Sequence, residues 1–118
     1  MAKSNPKPVA DKAAFFAAVP PPRTEIVETG GFAVTIREMN VGERLDFEQA
    51  AAGKPSGEVA LLAIAASVID ADGKLMFGPD DLPKLKTIPP DHAVPVMRAV
   101  LKLNALTDQD VSTLAKNS

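Results

Sequence analysis

Cysteine, tryptophan and tyrosine are absent from all 118 residues, and histidine occurs once. Without thiols there is no disulfide framework, no thiolate nucleophile and no cysteine zinc cluster, which fits a reducing compartment. Aromatics make up only 4% of the chain although apolar residues reach 46%. Any core is therefore aliphatic, a composition that favours helices over a sandwich or barrel. A formal net charge of −2 offers nucleic acid no bulk electrostatic attraction. The apolar run Val59–Ile69 is too short to span a bilayer. The patch Ala13–Val19, closed by Pro20-Pro21-Pro22, does not suit a signal peptide. The expectation is a soluble cytoplasmic chain with neither nucleic-acid nor membrane partners.

Catalytic patterns are missing too. His92 follows Pro90-Asp91 with no triad-like serine or carboxylate around it, and is read as exposed and uninvolved. Paired metal-ligand spacing, a phosphate-binding glycine loop and a nucleophile elbow are not found. The expectation is a non-enzyme with no catalytic, cofactor or metal residue and no cofactor.

What remains supports one small core. Residues 1–22 read as a mobile arm in which Asp11 caps a short helix through Lys12–Val19. Phe15 and Phe16 are expected to strap this helix to the core, or else to dock on another protein. Three prolines then make a stiff, extended linker. Thr24–Glu28 and Phe32–Arg37 flank Gly30-Gly31, and Phe32, Val34 and Ile36 alternate with more polar residues, which predicts a hairpin. Asn40 with Glu43 three positions on predicts a capping box, and Gly53 and Pro55 stop the helix that follows. Ser56 is expected to cap a second helix, with Glu58 in its first turn.

That second helix carries the apolar run. Leu61, Ile64, Ala65 and Val68 share one side and Leu62, Ala66 and Ile69 an adjacent one, an arc wider than a surface helix needs. Either it threads the middle of the domain or it buries a second face against a partner. Asp70-Ala71-Asp72-Gly73 closes the run. Counted as a calcium loop from Asp70, this stretch puts Lys74 at the fifth position and Leu75 where glycine is required, so it reads as a plain turn.

Leu75-Met76-Phe77 suits a brief strand, and Pro79 with Asp80 and Asp81 begins a short helix. Pro89-Pro90 ends that element. The last long apolar pattern runs over Asp91–Leu106, with its regular helix expected from Pro95 onward because proline is tolerated near a helix start. Thr107–Asp110 resembles a final capping box before a short turn and tail, residues 107–118.

The fold class is thus α+β, mostly α: a small helical domain over 23–106 with an N-terminal hairpin and a flexible proline-rich arm. The order of its pieces resembles a known family. A strand ending Val34-Thr35-Ile36-Arg37-Glu38-Met39 precedes a helix with Glu43-Arg44-Leu45-Asp46-Phe47. The apolar helix, the Asp72-Gly73 turn, the acidic start Asp80-Asp81-Leu82 and the ending Lys102-Leu103-Asn104-Ala105-Leu106 follow. Over residues 32–106 this is similar to the tail assembly chaperones of long-tailed bacteriophages, the lambda G protein group; the proline arm has no counterpart.

The resemblance implies a late protein of the host cytoplasm, absent from the mature virion. It would coat the tape measure protein, keep it soluble and help recruit tail tube protein, with self-association into rings or helices. It also implies a programmed frameshift, for which Lys116-Asn117 is the candidate position because Lys-Asn can be encoded AAA-AAC, a slippery pair. A different expectation is a small structural tail or head–tail connector subunit retained in the virion. The candidate partner-binding apolar face is Leu62, Ile69, Val96, Val100 and Leu103, with helix-in-groove contact as its mode.

Overall fold

Asp11 opens the first helix. Its carboxylate accepts the Ala14 N–H at 2.8 Å, and α1 follows over Lys12–Ala18. The structure, a computed structural model, describes residues 6–116. Phe15 and Phe16 do not strap the core: they are 53% and 68% exposed, and α1 buries none of its residues. The two rings meet edge to face, with centroids 5.5 Å apart.

The hairpin forms where the glycines place it. β1 (Thr24–Thr29) and β2 (Phe32–Arg37) are antiparallel, with Thr29 opposite Phe32. Gly30 and Gly31 both have positive φ, +51° and +89°, as a tight two-residue hairpin turn requires. Period-2 alternation puts Val27, Val34 and Ile36 on the core side, where Ile36 is completely buried.

Asn40 and Glu43 form the reciprocal capping box at 2.8 and 3.0 Å and launch α2 (Val41–Ala51). The next helix, α3 (Ser56–Ala65), has no side-chain cap. Ser56 is already helical, and Pro55, with its fixed φ, supplies the turn; its carbonyl accepts from Glu58 and Val59.

The apolar run is not one helix. It ends at Ala66, and Val68–Ile69 becomes β3, antiparallel to β2 with Thr35 opposite Ile69 and Ile36 opposite Val68. β2 offers an open ladder edge, the Arg37 N–H donates to the Ser67 carbonyl at 2.8 Å, and β-branched Val68 and Ile69 suit the extended form. The sheet order is β1-β2-β3.

The Asp70–Gly73 turn is as expected. The Asp70 carboxylate accepts the N–H groups of Asp72 and Lys74 at 2.9 and 3.0 Å, and Gly73 has φ +79°. Leu75–Phe77 is no full strand; a single bridge joins Leu75 to Ile69. A 3-10 turn at Pro79–Asp81 leads into α4 (Leu82–Leu85).

α5 spans Pro90–Leu103 and starts five residues before the expected Pro95, which lies inside it. Pro95 has no N–H for the Asp91 carbonyl. The buried Thr29 hydroxyl lies 3.4 Å from that carbonyl and donates to that of His92 at 2.9 Å. The residues after Leu106 form more than a turn. Thr107 and Asp110 close a reciprocal box, and α6 (Asp108–Lys116) packs on α3 with Val111 in the core. Asn117, the second residue of the frameshift pair, lies outside the described residues.

The result is α+β and mostly helical. α3 and α5 pack on each other, α5 covers β1 and β2, and one hydrophobic cluster, aliphatic but for Phe47 among its buried members, runs from Ile36 through Val59, Leu62 and Val100 to Val111. Buried Asn104 pins three segments: its Oδ1 accepts the Met39 N–H at 2.8 Å, and its Nδ2 donates to Ser67 Oγ at 3.1 Å and the Val100 carbonyl at 2.9 Å. Among the described residues no helix is long and apolar enough to cross a membrane.

Candidate functional site

Two apolar grooves open on the body. The first lies between α2, α3 and the segment after the Asp-Gly turn and encloses about 340 Å³. Its lining includes Phe47, Leu62, Ala66, Leu75 and Phe77, with Glu43 and Asp46 as the carboxylates. Sequence dictates this shape. The capping box fixes where α2 begins, so Glu43, Asp46, Phe47 and Ala50 come round on one helical side at spacings of three and four. Small Ala65 and Ala66 at the end of α3 leave the space unfilled. Glu43 is paired with Arg37, whose guanidinium binds it at 2.8 Å and donates to the Gly73 carbonyl at 2.6 Å. Asp46 is exposed, and no ion pair holds it among the described residues.

The second groove, about 440 Å³, lies between α3, α4 and the start of α5. Leu61, Leu85, Ile88, Val94 and Met97 make it apolar, and its charges, Glu58 and Lys86, neutralise each other at 3.5 Å. The kinked route Thr87–Pro90 keeps Ile88 partly exposed.

The five residues of the expected partner face do not form one. Leu62, Val96, Val100 and Leu103 are buried in the core, and of these only Leu62 lines either of the two apolar grooves, the first. Ile69 sits half-buried in β3. Burial follows from the packing of α5 on α3 and β1, which consumes the apolar side of α5. Sequence reasoning passed over Asp46, Leu75, Phe77 and Ile88 as lining residues. A signal existed in Leu75-Met76-Phe77, an apolar triplet directly after a turn.

His92 is neither exposed nor uninvolved. Its ring lies against the hairpin turn, so close that a Cβ on Gly30 would overlap it, and near Phe32 with ring centres 5.9 Å apart. Its Nδ1 is buried without a hydrogen-bond partner among the described residues. Glycine at position 30 thus serves the ring as well as the turn. Among the described residues no three His, Asp or Glu side chains converge as metal ligands.

Two carboxylates are held below their usual range. Hydrogen bonds from the side chain and backbone of Arg23 lower Glu38. Those from the backbone and hydroxyl of Thr107 lower Asp110. Arg23 also donates to the Leu103 carbonyl at 3.0 Å, which anchors the base of the arm to the body.

Compared with protein-family models, curated proteins and solved structures, the chain matches none.

Proposed function

We propose that this chain is a non-catalytic tail assembly chaperone of a long-tailed bacteriophage. It acts in the host cytoplasm, keeps the tape measure protein soluble, helps recruit tail tube subunits and leaves before the virion matures. The order of elements carries this reading: hairpin strand, capped helix, apolar helix, Asp-Gly turn, acidic short helix and a long helix ending in Leu103-Asn104. Its physical complement is the groove between α3, α4 and α5. That groove is apolar, open and internally charge-neutral, and a long aggregation-prone helix needs such a surface to cover its apolar stripe.

Co-expression with a tape measure protein from the same genome tests the reading. The expected result is a soluble complex that copurifies, and an Ile88→Glu chain that folds but leaves the partner insoluble. Unchanged solubility of the tape measure protein, with no complex, would sink the idea. Mass spectrometry of purified virions addresses the structural-subunit alternative, for which the chain would stay in the particle.

A further inference from the structure

α1 is a formed helix that buries none of its residues. Lys12, Phe15, Phe16 and Val19 recur at helical spacing along one side, yet both phenyl rings are more than half exposed. A seven-residue helix is short of the roughly 12–15 residues that hold a helix alone in water, so a covering surface is what would stabilise it. The linker Pro20-Pro21-Pro22 is stiff and extends by about 3.1 Å per residue. Its far end is fixed where Arg23 is clamped by Glu38 and the Leu103 carbonyl. The arm therefore projects from a rigid root.

We propose that α1 of one copy docks, through Lys12, Phe15 and Phe16, into the groove between α2, α3 and Leu75–Pro79 of a second copy. Charge selects this groove over the other. In residues 6–22 the charged side chains are Lys7, Asp11 and Lys12, and Asp11 is engaged as the helix cap. The arm is thus apolar and basic. The first groove is apolar with Asp46 on its rim, and Glu43 there is already matched by Arg37. The second groove has its one acid and one base paired with each other. At about 340 Å³ the first groove has room for a phenyl ring on a floor of Phe47, Leu62 and Phe77. A single copy leaves α1 and the groove both uncovered, and a second copy covers them together. An arm-to-groove contact is heterologous: it closes as a two-fold exchange or a ring, or propagates as an open chain.

The chain lacks cysteine, so engineered thiols report the contact unambiguously, and no tape measure protein is needed in the sample. Chains carrying Lys12→Cys are mixed with chains carrying Asp46→Cys under mild oxidation. The expected product is the mixed disulfide dimer in preference to either homodimer, abolished when Phe15→Ser and Phe16→Ser are added to the first chain. Both rings are exposed in the monomer, so these changes spare its fold. In sedimentation equilibrium the cysteine-free chain self-associates. Asp46→Lys weakens this at least about tenfold, and adding Lys12→Asp to the same chain restores it. Three results overturn the proposal. One is a monomer at every concentration, which leaves the groove to a different protein. Another is association indifferent to these substitutions. The third is a disulfide that closes only within a chain carrying both cysteines, which marks an arm folded on its own body.

Discussion

Ala105 shows how a single residue can hold local strain. It is the one non-glycine residue with positive φ, +54°, among those described. The reason lies in the end of α5. The Leu106 N–H reaches back to the Leu101 carbonyl at 2.8 Å and the Ala105 N–H to that of Lys102 at 3.1 Å, the paired bonds of a Schellman motif, whose left-handed position usually belongs to glycine. Buried Leu106 and the Asn104 network hold the geometry in place. A Cβ in the left-handed region costs roughly 1–2 kcal/mol, of which the extra freedom of unfolded glycine returns about 0.4–1 kcal/mol. Ala105 is exposed, so its methyl forfeits no core contact. Ala105→Gly should therefore stabilise the fold by about 0.5–1 kcal/mol, seen as a rise of a few degrees in melting temperature. A lower melting temperature would place the strain elsewhere.

At the scale of elements, a side chain from one element can complete another. α5 contains Pro95 five residues into its run, where proline ordinarily costs about 3 kcal/mol. Thr29, at the end of β1, presents its hydroxyl to the carbonyls of Asp91 and His92, next to the missing N–H. The near-isosteric Thr29→Val removes that donor and should destabilise the chain by about 1 kcal/mol in urea denaturation. An unchanged midpoint would mean that the carbonyls need no protein donor. This pairing also explains which elements could be read from the sequence. The hairpin, both capping boxes and the Asp-Gly turn were legible because Gly30-Gly31, Asn40 with Glu43, Thr107 with Asp110, and Asp70 with Gly73 act within a few residues. The start of α5 was not, because its tolerance of Pro95 comes from Thr29, distant in the chain. The switch from α3 to β3 was hidden for a similar reason: an apolar run looks alike as helix or buried strand, and the edge of β2 decides. The candidate site was the least legible. Leu62 was picked, but Val96, Val100 and Leu103 have the same apolar character as true groove residues, and only packing separates core from rim.

For the whole molecule, two junctions contribute to the response to acid. Glu38, clamped to Arg23, ties the arm and β1 to the end of α5 through the Leu103 carbonyl. Asp110, bonded to Thr107, opens α6, which anchors on the α2–α3 loop where the Gly53 N–H donates to the Leu114 carbonyl at 3.0 Å. Both carboxylates are lowered on folding from ordinary values of 4.5 and 3.8. A lowered carboxylate binds fewer protons folded than unfolded, so its contribution is present in full above the ordinary value and is lost as pH falls through the folded one. Melting temperature should therefore be insensitive to these groups at neutral pH and fall below about pH 4.5, in a window set by the ordinary carboxylate values. Both groups lie at the surface, where solvent screens their bonds, so each contribution is small. A chain carrying Glu38→Gln and Asp110→Asn should show a shallower loss across that window while melting slightly lower at neutral pH. If its acid profile overlays that of the parent, the acid sensitivity arises from other carboxylates and these two bonds are neutral to folding.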